Sequence, residues 1–243
     1  MTEHHEENHY LKLKPKLMND FKNVEDYMKN VLMQYLDQSK IEPLLKETRS
    51  QFETLLLTLP YVGGEANVLT DGLIMCAWCL PFFRFLEREG LSLREIAKIT
   101  YEKMEHDVES KSAEKKRKVR EFYFSPSMRT VEITRSKETK SGKYSGDWVS
   151  EYVEGDGKTF DFGIDFTECA ICKFLEPHDA LRYVPIFCLG DYATYRAFGI
   201  GFRRTQTIAN GASWCDFRFK KGWETPRGWP PEELEEKFLF SDA

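Results

Sequence analysis

The stretch DWVSEYVEGDGKTFDFGIDFTEC, residues 147–169, decides the fold. Phe160, Phe162, Ile164 and Phe166 alternate with Asp161, Gly163, Asp165 and Thr167. Period-two alternation places every second side chain on one face, which is the pattern of a half-buried strand. The segment Trp148–Glu154 precedes it across the turn EGDGK, so the pair reads as an antiparallel hairpin. Downstream, Thr167-Glu168 can cap a helix carrying CAICKFLE, and Pro177 interrupts it. A second helix is predicted over about Ala180 to Ala197. Two further strands, about Phe202 to Ala209 and Trp214 to Lys220, then close on the turn Asn210-Gly211. Upstream, TVEITRS (130–136) also reads as a strand.

The first half is patterned differently. From Leu11 to Leu59 apolar and charged residues alternate at helical spacing, and Pro60 stops the second of two helices. PYVGGEANVLTDG reads as an interhelix loop. A buried helix follows over about Val68 to Arg88, with Gly90 as its stop. LSLREIAKITYEKMEHDVESKSAEKKRKVREFYF reads as one long helix or two joined ones. The expected class is therefore α+β: a helical N-terminal half packed on an antiparallel sheet with helices on one face. The expected divisions are a disordered tail over 1–10, a helical region over 11–124, an α+β region over 125–222 carrying the site, and a C-terminal tail over 223–243.

Composition narrows the function classes. The 243 residues are 41% hydrophobic and 14% aromatic, enough to fill a core, and the net charge is −5. That charge gives no general reason to bind nucleic acid. The basic run Lys115-Lys116-Arg117-Lys118 with Arg120 reads as a solvated helix face. The start MTEHHEENHY lacks the basic end and apolar core of a signal peptide. The most apolar stretch, Leu73 to Phe83, is too short to span a bilayer. A cytoplasmic protein is expected, with a small-molecule substrate and with neither nucleic acid nor membrane as partner; a homo-oligomer is compatible with the sequence.

Six cysteines then need a role: Cys76, Cys79, Cys169, Cys172, Cys188 and Cys215. Both C-x2-C pairs fall in helical, apolar patterns rather than on the knuckles zinc prefers. Cys76 and Cys79 read as small core residues. Cys169 sits at the first turn of its helix, where backbone N–H groups favour a thiolate. Cys188 is three residues before Asp191, on the same helix face. Cys215 and Asp216, adjacent on a strand, point to opposite faces. Arg204 follows Arg203 on a strand, and a buried arginine there needs an anion: Asp191, Asp216 or a substrate carboxylate. His178, in a turn, is a candidate base for a cysteine nucleophile.

The segment from Phe162 to Gly222 resembles the L-2-amino-thiazoline-4-carboxylic acid hydrolase family. The resemblance rests on Cys169 after a strand, Cys188 with Asp191, Arg204-Thr205 with Thr207, Gly211, and Cys215-Asp216-Phe217. The Gly63-Gly64 loop resembles the family's upstream loop. The resemblance implies opening of a cyclic amidine-like ring to N-carbamoyl-L-cysteine, by a thiolate or an activated water attacking C2. Cys215 or Cys188 is the expected nucleophile, with Cys169 third. Asp191 or Asp216 would hold the amidine, and Arg204, with Thr205 and Thr207, would bind the substrate. No cofactor is required and no metal is expected. Two other readings stay open: a non-catalytic small-molecule sensor domain, and a metal protein held by the four late cysteines.

Overall fold

In the computed structural model, which describes residues 9–237, the chain divides into two compact units, one ending at Ser92 and the other beginning at Leu93. The first unit is helical: α1 (His9–Leu32), α2 (Gln38–Leu55) and α3 (Thr70–Arg88). Its core is aromatic. Phe21 stacks on Phe52 at 5.4 Å, and Trp78 meets both rings edge-on. The tail expected over 1–10 lies, through residue 8, outside the described residues. His9 and Tyr10 already belong to α1, because Tyr10 is buried and its hydroxyl donates to the Pro60 carbonyl at 3.0 Å. Cys76 is buried on α3, as a small core residue should be.

The second unit begins with α4 (Leu93–Glu109), α5 (Ala113–Tyr123) and α6 (Pro126–Lys140). Ser112 separates the first two by capping α5, its hydroxyl accepting from the Lys115 N–H. No residue of α5 is buried, and its basic run pairs along the helix, Arg117 with Glu121 and Lys118 with Glu114. Helix α6 corrects the expectation of a strand at TVEITRS. Ser125 caps it and Pro126 opens it, and Val131 is exposed.

Four strands follow: β1 (Val149–Glu154), β2 (Phe162–Glu168), β3 (Phe202–Arg203) and β4 (Cys215–Phe219). They form one antiparallel sheet in the order β1-β2-β4-β3. Between β2 and β3 lie α7 (Ala170–Leu175) and α8 (Val184–Phe198). The α+β class holds. On β2 and β4, Phe162, Ile164, Phe166, Cys215, Phe217 and Phe219 are buried, while Asp165 and Arg218 pair on the opposite face at 2.6 Å. Helix α6 lies along β1, and α8 packs on α4 and reaches β3. Gly190 permits the α4–α8 approach: a Cβ there would meet the Met104 side chain at 2.3 Å.

Two expectations fail at the end of the chain. The hairpin is not two long strands on a two-residue turn. β3 leaves the sheet after Arg203, and residues Ile208–Asn210 form a single 3-10 turn closed by Gly211 at φ 88°. The stretch expected as a C-terminal tail from 223 does not lie loose on the surface either. Thr225, Leu234 and Glu236 are buried in the second unit, and the acidic segment forms only the short turn Pro231–Glu233. Residues 238–243 of that expected tail lie outside the described residues.

Candidate functional site

Strand β2 ends at Glu168, and Cys169 is the next residue, the N-cap of α7. One helical turn on, Cys172 brings its thiol to Cys169. Strand alternation and register put Cys215 on the helix-facing side of β4, directly beside Phe166. Cys188 and Asp191 project from one face of α8. The four thiols and Asp191 lie near enough to bias one another's ionisation. Cys169 and Cys172 also line a cleft of about 400 Å³ with Val184, Leu181 and Ile208.

The four thiols are not equivalent. Cys169 is held below the ordinary thiol range, first because the Cys172 thiol donates to it, then by the N–H groups of Cys172 and Ile171; burial opposes both. Cys172 is correspondingly driven up, its proton being committed to Cys169. Burial pushes Cys188 well up. Burial also pushes Cys215 up to about 12, although the Ile208 N–H donates to its sulfur at 3.3 Å. One thiolate carried by a neighbouring thiol is the pattern of an activated cysteine.

Asp191 is crowded by protein, and that burial pushes its carboxyl up to about 6, against the pull of Arg204. Yet a third of its side-chain surface stays open, so a ligand can reach it.

Arg204 is 2% exposed, and each of its three side-chain nitrogens has a protein partner. Its Nη1 donates to Asp191 at 2.7 Å, its Nε to Glu236 at 2.7 Å and its Nη2 to the Cys188 carbonyl at 3.0 Å. The rings of Phe217, Tyr192 and Phe202 flank it at 4.9–5.7 Å. Glu236 also accepts from the Tyr192 hydroxyl and the Asn210 amide, each at 3.2 Å. The anion demanded by a buried arginine is therefore supplied twice by the protein. Arg204 Nη1 is held against Asp191, and its other two nitrogens are held by Glu236 and the Cys188 carbonyl.

Asp216 and Thr205 lie on the other side of the sheet from the thiols. The Asp216 carboxylate accepts the N–H groups of Thr205 and Gln206 at 2.9 Å each, and the Thr205 hydroxyl at 2.7 Å. Asp216→Ala should cost about 1–2 kcal/mol of stability in urea titration, with turnover close to wild type. Thr207 differs. It is fully buried, and its hydroxyl has no hydrogen-bond partner among the described residues.

The structure thus gathers Cys169, Cys188, Cys215, Asp191 and Arg204, and it sets Asp216 and Thr205 apart. His178 packs edge-on against Phe174 at 5.0 Å in the turn after α7. Sequence reasoning left Cys172 and Glu236 out of the site. The i, i+3 spacing could have found Cys172; nothing local marks Glu236. Among the described residues, no group of three or more His, Cys, Asp or Glu side chains is arranged to hold a metal ion. None of the described helices is long and apolar enough to cross a membrane.

No curated protein and no solved structure matches the chain. One family model does match, over residues 73–219, which takes in α3 from Leu73 through β4 and therefore every thiol of the cluster, but not the Gly63-Gly64 loop. On that match the chain belongs to the L-2-amino-thiazoline-4-carboxylic acid hydrolase family.

Proposed function

We propose that the protein is a hydrolase that opens a small cyclic amidine, with Cys169 as nucleophile and Asp191 as the group that holds the amidine. The observation that carries this reading is the inequality of the thiols: Cys169 alone is favoured as thiolate, and it lines the cleft. The family description supplies the substrate class.

The chemistry balances with these residues and water. The Cys169 thiolate attacks C2 of the ring, which is electrophilic because it bears two nitrogens and sulfur. The C2–S bond then breaks and the ring sulfur leaves, taking a proton. The enzyme holds a thiouronium adduct through Cys169. Water adds to the same carbon, the Cys169–carbon bond breaks, and the product carries a urea group and a free thiol. Asp191, carboxylate above about pH 6, pairs with the amidinium and keeps C2 electron-poor. Arg204 and Glu236 fix that carboxylate in place. This ranking replaces the expectation that Cys215 or Cys188 attacks, because both are buried where their charged forms are disfavoured.

The deciding experiment incubates the protein with a panel of 2-amino-thiazolines, amidines and carbamoyl compounds and reads products and protein mass together. Ring opening with a transient adduct on Cys169 is the expected result. No turnover across the panel removes the reading. The pH profile gives a second test. Below about pH 6 Asp191 takes up a proton and loses its charge, so kcat/KM should fall tenfold per unit there. Cys169 adds its own acid limb, set below the ordinary thiol range. In Asp191→Asn the Asp191 limb should vanish while the limb from Cys169 remains.

A further inference from the structure

Ring opening takes one thiol, and the cleft holds two. Cys169 and Cys172 both line the cleft of about 400 Å³, whereas Cys188 and Cys215 are not among its walls. Both are free thiols, and neither is fully buried. Their spacing permits a bond. Cys169 caps α7 from an extended backbone, and Cys172 is the third residue of that helix. The Lys173 N–H donates to the Cys169 carbonyl at 3.0 Å, which closes the turn between them. A disulfide spans roughly 4.4–6.8 Å between Cα atoms, which a single helical turn of about 5.4 Å satisfies. The Cys172 thiol already donates to the Cys169 sulfur, so the two sulfurs are in contact before any backbone moves.

The two thiols differ in a way that suits successive roles. Cys169 is favoured as thiolate, so it attacks first. Cys172 is held protonated, first by its hydrogen bond to Cys169, then by burial, then by the Cys169 charge. Bonding Cys169 to an incoming sulfur removes the first and third of these causes. Cys172 then gives up its proton more readily, at the step where a second thiolate is needed. Thiol–disulfide exchange runs through such a mixed disulfide. Ring opening, by contrast, asks nothing of Cys172 beyond its hydrogen bond.

We propose that Cys169 and Cys172 form a redox dithiol that exchanges with small organic disulfides, and that the bond formed between them switches ring opening off. The switch rests on the ring-opening reading with Cys169 as nucleophile; the exchange does not. The Cys169 thiolate attacks one sulfur of the incoming disulfide, its S–S bond breaks, and the first thiolate is released to solvent. Cys172 attacks the Cys169 sulfur, the mixed disulfide breaks, and the second thiol leaves with the proton that Cys172 gave up. The incoming disulfide is reduced by two electrons and the dithiol is oxidised by two. An external dithiol reverses the exchange. The cleft has the size of a small-ligand site, and Leu181, Val184 and Ile208 give it apolar walls, so the partner is a small molecule rather than a folded protein. The ring-opening product carries a free thiol, and its oxidised form is a disulfide of this class.

The test adds hydroxyethyl disulfide, or the disulfide of N-carbamoyl-L-cysteine, to the reduced full chain, then quenches in acid and alkylates the unfolded protein with N-ethylmaleimide. Peptide mass spectrometry should find Cys169 joined to Cys172, with Cys188 and Cys215 alkylated. Ring opening by the same samples should be lost in step with the bridge and return with dithiothreitol. Cys172→Ala should stop at the mixed disulfide, carrying one half of the added disulfide on Cys169. Cys169→Ala should gain no adduct on Cys172. A bridge that joins any other pair, an adduct that persists on Cys169 of the wild type, or no reaction at all overturns the dithiol. Bridge formation in a protein that opens no ring when reduced sinks the hydrolytic reading and keeps the exchange. Ring opening by the reduced protein without a bridge does the reverse. Undiminished ring opening by the bridged protein removes both the switch and Cys169 as nucleophile.

Discussion

Cys169→Ser is expected to lower kcat/KM for ring opening by about 10³-fold or more, with the fold and melting temperature unchanged. Cys169 is half-buried at a helix start, and serine fits the same N-cap position. What is lost is the thiolate. A serine hydroxyl in this place gains no general base, so the neighbouring thiol cannot activate it. Cys172→Ala should act through the same atom: the donor to Cys169 is lost, and the acid limb of the pH profile moves up. Cys188→Ser and Cys215→Ser should each cost about 10-fold or less, through packing and field rather than through bond formation. The check is stopped-flow or mass-spectrometric turnover on all four variants, with alkylation rates as an independent readout. Iodoacetamide should label Cys169 first. Wild-type turnover in folded Cys169→Ser would transfer the chemistry to an activated water.

Arg204→Met is expected to destabilise the second unit by about 3–5 kcal/mol, read from urea unfolding. The arginine side chain is 1% exposed and is held between Asp191 and Glu236. Methionine fills much of the space but leaves both carboxylates without a counter-charge. Most of the penalty belongs to Glu236, whose side chain is as buried as the arginine. Asp191 contributes less, because a third of its side-chain surface reaches solvent. The double variant Arg204→Met with Glu236→Gln should recover a large part of the loss, since it removes the trapped charge along with its partner. If the single and double variants are equally destabilised, shape rather than charge governs the site.

How much of this was readable in the residues varies by element. Strands β2 and β4 were legible because every second residue is apolar, and that alternation correctly set Cys215 and Asp216 on opposite faces. Helix α6 was misread for a reason that carries information. Val131 and Ile133 alternate with Glu132 and Thr134 as in a strand, and the helix that forms buries Glu132 and Arg135 instead of the valine. Local pattern fails where a helix buries polar side chains that pair with one another, as Arg135 does with Glu132. The demand of Arg204 for an anion was legible, and Asp191 meets it. Glu236 was not, since it joins from 32 residues away through an irregular segment. The thiolate-favouring place of Cys169 could be read from its position at a helix start. Its rank above Cys188 and Cys215 could not, because burial is a property of the packed chain.

The late arrival of Glu236 has a consequence for biosynthesis. Arg204 leaves the ribosome 32 residues before its second carboxylate does. At about 5–20 residues per second the guanidinium waits roughly 2–6 seconds for Glu236. Until then α8 and the sheet can gather around only half of the ion network. The second unit therefore cannot complete this ion network before residue 236 is made, and the residue that completes it is the one that, with Arg204, holds Asp191 still for chemistry.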